Sequence, residues 1–340
     1  MAKKIIVSVL LLSLLVGAFI GFRFFGSNTS FDEPKKYIYI HTGSNFIDVL
    51  QYLRENAIIK NVSTFEWMAK KLNYTQNVKP GKYAVKKGES LFTILRTLKS
   101  GNQTQVNLVI TKLRTNEDFI NKIATQFECD SATIATFINS NDSLEAYGVN
   151  TNTFMSIVLP NTYSYYWTAS PKKILSKLKA ESDKFWTEER KAKAIAIKLS
   201  PAQVYTLGSI IEEETNMSAD KGKIASVYLN RLNKGMKLAA DPTVKFAMKN
   251  FALKRIMHKH LTYSSPYNTY QNTGLPPGPI CTVTPKTLDA VLNAPKTDYL
   301  FFVAQPNLTG YSNFATNYEQ HLKYAKDYQS WLNEYLKSNP

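Results

Sequence analysis

The sequence has only two cysteines, Cys129 and Cys281, and neither lies in a C-x-x-C pair. A disulfide-built scaffold and a cysteine-ligated zinc site therefore both lack the residues, and two unpaired thiols are expected. Glycine and proline, 14 of each in 340 residues, are too few for a collagenous, linker-like or disordered chain. Acids are scarce beside bases: Asp+Glu 26 against Lys+Arg 42 leaves a net charge of +16. No Gly-rich phosphate loop, zinc-finger spacing or RNP-like signature accompanies that charge. The nine cations from Lys172 to Lys198 are interspersed with four acids, the pattern of a solvated helical face, so nucleic acid is not expected as a partner. The four histidines, His41, His258, His260 and His321, form no H-E-x-x-H motif. No metal or other cofactor is expected.

What is present begins with an apolar run. After Lys3 and Lys4, residues Ile5 to Phe22 carry no charge, a length just sufficient to cross a bilayer. No convincing cleavage site follows, so the run reads as an uncleaved anchor rather than a signal peptide. Lys3, Lys4 and the terminal amine hold the N-terminus in the cytoplasm, with Arg23 on the far flank weakening the asymmetry. Everything from about residue 30 is then expected to face the periplasm or cell exterior, where the polyanions are lipid headgroups and wall polymers.

Length alone suggests two domains, at about 150 residues each. The first contains an internal similarity: Tyr39 to Leu53 and Ala84 to Leu98 both read as strand, glycine turn and helix. Asn45 and Ser90 stand at plausible N-caps, and Phe46, Val49, Leu50, Leu53 and Leu91, Ile94, Leu95, Leu98 recur at helical spacing. The phrase Gly88-Glu-Ser-Leu-Phe-Thr-Ile94 resembles the start of a LysM glycan-binding module; a plain strand–helix repeat is the alternative. From Thr115, with Asp118 at capping spacing, a helical pattern extends to about residue 150. A basic helical segment follows over 171–199. Further helices are expected at 201–214, 219–233, 242–249, 285–293 and 318–337, with an apolar strand over 299–303. Trp67, Trp186 and Trp331 lie on helical stripes and are read as core.

The most informative helix starts at Ser200-Pro201-Ala-Gln203, a capping box with proline at the first position. Advancing 100° per residue from Glu214, Leu207 falls near +20°, Ile210 near −40°, Ile211 near +60° and Val204 near +80°. Glu214 thus continues the apolar stripe, while Glu213 lies about 100° and Glu212 about 160° away. A carboxyl on an apolar face has a raised pKa or a specific partner. Glu212, Glu213 and the negative helix end are expected to raise it further, as a general acid requires. A solvent-frayed acid cluster is the bland alternative. Beyond it, Ser218 and Asp241-Pro242 read as caps of the next two helices. The face of the first comprises Ile224, Val227, Tyr228, Arg231 and Leu232, and Tyr267-Asn268-Thr269-Tyr270 and Gly274-Leu-Pro-Pro-Gly-Pro-Ile280 offer the rings, amides and hydroxyls that sugars bind.

Taken in order, Ser209-Ile-Ile-Glu212-Glu213-Glu214-Thr215, Ile224 to Leu232, Met236-Lys-Leu238, Asp241-Pro-Thr-Val244, Tyr267 to Tyr270, Gly274 to Ile280 and Tyr299 to Val303 resemble the YceG-like (MltG) family of endolytic murein transglycosylases. The likeness is close over about 200–325 and looser over the anchor, Pro80-Gly-Lys-Tyr83 and Leu159-Pro-Asn-Thr-Tyr163. The family's F-P-D-T-Y is here Leu159-Pro160-Asn161-Thr162-Tyr163, its late H-x-F is Ser312-Asn313-Phe314, and its Val-Glu-Gly is Val109-Ile110-Thr111. The resemblance implies an α+β fold: an anchor over 1–30, a LysM-like α/β module over 31–110, a helical and aromatic-turn joining region over 111–199, and a catalytic domain over 200–340. It implies an endolytic lytic transglycosylase that cuts the MurNAc–GlcNAc β-1,4 bond of nascent strands and leaves 1,6-anhydro-MurNAc ends. Glu214 is the implied catalytic acid. Asp241, Tyr267, Asn268 and Tyr270 are the candidate substrate contacts, and Glu212 and Thr215 support the acid. His321 matches a family position, with a capping or packing role as the alternative. The implied partners are peptidoglycan glycan strands, the inner membrane and, by association, the peptidoglycan synthesis machinery. A muramidase-like hydrolase using Glu214 with water, or a non-catalytic wall-binding scaffold, are the competing readings.

Overall fold

The fold is that of a computed structural model describing residues 2–338. The terminal amine and the Lys3 side chain invoked above lie outside what it describes. The chain divides into two compact units: one holds residues 1–108, 124–130 and 164–170, the other 109–123, 131–163 and 171–340. The expected joining region is thus shared out between the two.

The first unit starts with α1 (Ala2–Phe25), which is long and apolar enough to cross a membrane from Lys4 to Phe25. It continues through β1 (Lys35–Ile40), α2 (Phe46–Glu55), α3 (Val62–Lys71), β2 (Gly81–Lys86) and α4 (Leu91–Ser100) into β3 (Gln105–Ile110). The repeat is real: β1 pairs antiparallel with β2, Ile38 opposite Tyr83, and the eight periodic apolar residues are all buried in one core. Each copy turns into its helix through a left-handed glycine, Gly43 at φ 86° and Gly88 at φ 84°, a conformation other residues adopt at a cost. Asn45 then accepts from the backbone N–H of Ile47 and Asp48, and Ser90 from that of Thr93, so both caps stand as expected. Trp67 corrects the core reading: it is 53% exposed.

The strands β3 and β4 (Asn161–Tyr166) pair with each other, and each has residues in both units. The second unit contains α5 (Asn116–Ala124), α6 (Ser131–Ile138), α7 (Asn141–Glu145), α8 (Pro171–Phe185), α9 (Glu188–Ala196), α10 (Pro201–Glu214), α11 (Ser218–Asn233), α12 (Asp241–Ala247), α13 (His258–Leu261), α14 (Pro285–Leu292), β5 (Phe301–Ala304), β6 (Ser312–Ala315) and α15 (Tyr318–Ser338). The helical pattern expected from Thr115 to about 150 is made of three short helices. Thr115 and Asp118 do cap α5 reciprocally, but Ser140 caps α7 by accepting from the N–H of Ser143, and such polar side chains favour a new start over continuation. The basic segment likewise breaks after Phe185, where Thr187 caps α9. Trp186 is buried as expected, whereas Trp331 is half-buried and stacks on Tyr335 at 5.5 Å.

Helix α10 lies at the centre of this unit, with Val204, Tyr205, Leu207, Ile210 and Ile211 buried together with Ile224, Tyr228, Val283, Leu288 and Val291. Gly208 lets α14 approach: a Cβ there would meet Leu288 and Val283 at 3.1 Å. Tyr205 fixes the rotation of the helix, donating its buried hydroxyl to the Val158 carbonyl at 2.6 Å and accepting from the Val283 N–H at 2.9 Å. The Ser200–Gln203 capping box is formed in both directions. Both cysteines are free, and Cys281 is buried with its thiol pushed up by desolvation.

Candidate active site

At the end of α10 the three consecutive glutamates go three ways, as a helix of 100° per residue requires. Glu214 turns towards α11. Its Oε1 accepts from the Tyr228 hydroxyl at 2.7 Å, and its side chain keeps partial access to solvent. Glu213 turns to the start of α5, where the Arg114 guanidinium grips it through Nε at 3.1 Å and Nη2 at 3.2 Å and Lys112 adds a contact at 3.2 Å. Glu212 turns to α14: its Oε2 accepts from Lys221 Nζ at 2.9 Å, Thr284 Oγ1 at 3.2 Å and Thr287 Oγ1.

This sorting corrects one part of the sequence argument. The Glu214 carboxyl is pushed up to about 7, first by desolvation, and the like charge that adds to this is Asp241, not Glu212 or Glu213. Both of those are matched by cations. Opposing the rise are the Tyr228 hydrogen bond and the charges of Arg231 and Lys245.

Asp241 does not cap α12. Ala240 occupies the cap position, and the Asp241 carboxylate instead accepts from the Tyr270 hydroxyl at 2.7 Å. Ser218 makes no side-chain cap either; α11 starts from Met217. Asp241 and Tyr270 are brought together by a buried hydroxyl cluster. Thr269 Oγ1 accepts from the Ala240 N–H at 3.0 Å and lies 2.8 Å from Thr243 Oγ1. Burial first, and then the hydrogen bond to Asp241 and the charges of Asp241 and Glu214, raise the Tyr270 phenol.

Asn268, expected to touch substrate, is fully buried. Its amide donates to the Leu261 and Tyr263 carbonyls at 3.0 and 2.8 Å, and its Oδ1 accepts from the Tyr270 N–H at 3.0 Å. It shapes the loop that presents Tyr270 and has no polar group left for a sugar. Tyr267 packs against Phe246 at 4.7 Å and lines a cleft of about 260 Å³ with Arg114, Asn152 and Lys249. Thr215 lies at the end of α10, its Oγ1 accepting from the Met217 N–H at 2.9 Å. Gly278 in the proline-rich loop is required: a Cβ there would sit 2.0 Å from the Asn152 carbonyl oxygen.

Two residues around the acid carried no expected role. Tyr228 and Arg231 were legible only as members of the apolar face of α11, and an arginine on that stripe was the available signal. Arg231 Nε donates to the Leu300 carbonyl at 2.7 Å, joining α11 to the start of β5. Ser312, where the resemblance implied a histidine, donates its N–H to buried Asp220 at 2.7 Å. His321 packs: its ring stacks on Phe301 at 5.2 Å. Among the described residues no group of three or more His, Cys, Asp and Glu side chains is placed to hold a metal ion.

The Bacillus subtilis (strain 168) endolytic murein transglycosylase is 32% identical over 324 residues, covering 87% of this chain and 86% of that protein. The Streptococcus pneumoniae (strain R6) endolytic murein transglycosylase is 26% identical over 329 residues, and this chain spans 58% of its length. A 2.6 Å crystal structure of a yceG-like protein from Listeria monocytogenes superposes with a TM-score of 0.56 at 29% identity, covering 86% of this chain and 99% of that one. Residues 38–327 match the YceG-like family, so the match takes in both units and every residue of the site, and the chain belongs to that family.

Proposed function

We propose that this chain is an endolytic lytic transglycosylase that cuts the β-1,4 bond between N-acetylmuramic acid and N-acetylglucosamine in peptidoglycan strands and closes a 1,6-anhydro ring on the muramic acid. The observation that carries the reading is a single carboxyl, Glu214, poised near 7 with Oε1 held by Tyr228 and the other oxygen without a hydrogen bond among the described residues. At neutral pH such a group exists in both forms. Protonated, it delivers its proton to the leaving glycosidic oxygen; as carboxylate, it takes the proton of the C6 hydroxyl that attacks C1. One group serves both steps because no water has to be activated, unlike the two carboxylates of ordinary glycosidases. The Asp241 carboxylate, fixed by Tyr270, supplies negative charge for the oxocarbenium character developing at C1. The β1–α2–α3–β2 unit is read as a LysM-like module that holds the strand, and α1 as the anchor that keeps both units outside the membrane, beside the synthesis machinery.

Mass spectrometry of products from purified glycan strands tests this. Products lighter by one water than the hydrolysis products are expected; products carrying the added water would assign the chain to the muramidases. Tyr228→Phe gives a second check. The lost hydrogen bond favours the carboxylate, so its removal raises Glu214 further and moves the alkaline limb of the pH–rate profile up by about one unit. A limb that stays in place would show that Tyr228 does not tune the acid.

A further inference from the structure

We propose that the cleft between α1 and α3 seats the headgroup of an acidic phospholipid, so that the Trp67 face of α3 lies in the headgroup layer of the membrane. The proposal rests on the reading of α1 as a membrane span.

Covalent continuity sets the depth. At 1.5 Å per residue the run from Ile5 to Phe22 covers about 27 Å, close to the ~30 Å hydrocarbon core, so Phe22 ends near its edge. The helix then runs unbroken to Phe25 and enters the first unit without slack. Phe24 packs against the core of that unit, the Phe25 ring lies 5.2 Å from Phe92, and Asn28 and Thr29 are buried, with the Gly88 N–H donating to Thr29 Oγ1 at 2.8 Å. Whatever touches Phe19 to Phe24 from the side of α3 is therefore held at the hydrocarbon edge.

Ser63, Thr64 and Trp67 do so, lining with Phe19, Arg23 and Phe24 an open cleft of about 460 Å³. The Trp67 ring stacks on Phe24 at 5.6 Å and 5°, yet Trp67 stays 53% exposed. An indole with one apolar side and one wet side suits the membrane interface. The cleft also holds charge: the Arg23 guanidinium lies 5.5 Å from the Phe19 ring, and outside the lining the Lys71 ammonium lies 5.9 Å from the ring of Trp67. Neighbouring Lys70 is matched by Glu66 at 2.6 Å, whereas Arg23 and Lys71 make no ion pair among the described residues. Arg23, which shares the cleft with Ser63 and Thr64, fits a phosphate that arrives attached to acyl chains, and Lys71 adds positive charge at the Trp67 ring.

The full chain reconstituted in vesicles tests this, with brominated phosphatidylglycerol or brominated phosphatidylcholine present at the same mole fraction in an otherwise unlabelled mixture of the two. The emission lost to quenching is compared between wild type and Trp67→Phe, which isolates one of the four tryptophans. Brominated phosphatidylglycerol is expected to quench Trp67 more than the phosphatidylcholine label does, by about fivefold in apparent affinity for one surface cation, with the preference lost in Arg23→Gln. Equal quenching by both labels overturns the headgroup site. No Trp67 quenching in protein that resists carbonate extraction overturns it while leaving the anchor standing. Release of the chain by carbonate would instead remove the anchor, and the site with it.

Discussion

Glu214→Gln is expected to abolish glycan cleavage almost completely. The substitution keeps shape and hydrogen-bonding capacity but removes the transferable proton. Loss of one general acid–base group costs about 10²- to 10⁴-fold, and the upper end applies where one residue serves both steps. Glu213→Gln should cost little, because that carboxylate is engaged by Arg114 and Lys112 on another side of the helix. Glycan turnover by the two folded variants decides the matter; wild-type turnover in Glu214→Gln would require another acid. The same variant should also reveal a stability cost of the native residue. The Glu214 carboxyl ionises at about 7 in the fold against an ordinary 4.5. Below about 4.5 both folded and unfolded chains hold the proton and the group contributes nothing to pH dependence. As pH rises from about 4.5 to 7 the unfolded chain releases its proton first, so the fold is progressively penalised, by as much as about 3 kcal/mol once pH exceeds 7. Glu214→Gln escapes that penalty. It should therefore gain stability relative to wild type across this window and level off above it, as denaturant titrations at several pH values would record.

Lys221→Met is expected to give the largest loss of stability. The side chains of Lys221 and Glu212 are each only 11% exposed, and Lys221 also donates to Thr287 at 2.6 Å, so the pair joins α10, α11 and α14. Removing the cation leaves a carboxylate in a desolvated site, which costs about 3–5 kcal/mol. Adding Glu212→Gln should recover part of this by removing the stranded charge. Thermal unfolding of the two single variants and the double variant measures the coupling. Strict additivity would mean that the pair does not act as a unit.

The parts of the fold that were legible in the sequence are those governed by local rules. The Ser200–Gln203 box, the proline behind it and the apolar stripe fixed α10 from 201 to 214, and with it the direction of Glu214. The matched strand–helix copies were readable because their glycines, caps and apolar spacings repeat. Ser218 and Asp241 show where such rules stop: both have cap chemistry, but Asp241 finds Tyr270 across the chain and that contact wins. Asn268 illustrates the same limit, since an amide's polarity does not tell whether it faces a sugar or two carbonyls of its own loop. Trp67 was misplaced because a helical stripe tells which residues share a face, not whether protein covers it. The electrostatics of Glu214 depend on Tyr228, Asp241, Arg231 and Lys245, none of which was paired with that glutamate by spacing alone.

The first unit takes two of its pieces, residues 124–130 and 164–170, from stretches interleaved with the second. From the first piece Glu128 clasps the β1–α2 turn, accepting from the Thr42 backbone N–H and hydroxyl; from the second, Trp167 packs edge-on to Tyr39 at 5.0 Å and His41 at 4.9 Å. A ribosome making this chain therefore cannot release a finished first unit when residue 108 emerges. That unit must wait, its Thr42 turn unclasped and Tyr39 without its indole, until residue 170 has been made. A gene fusion that splices at 108 would transplant an incomplete fold, and one that splices at 170 would carry parts of the second unit, 109–123 and 131–163, with it.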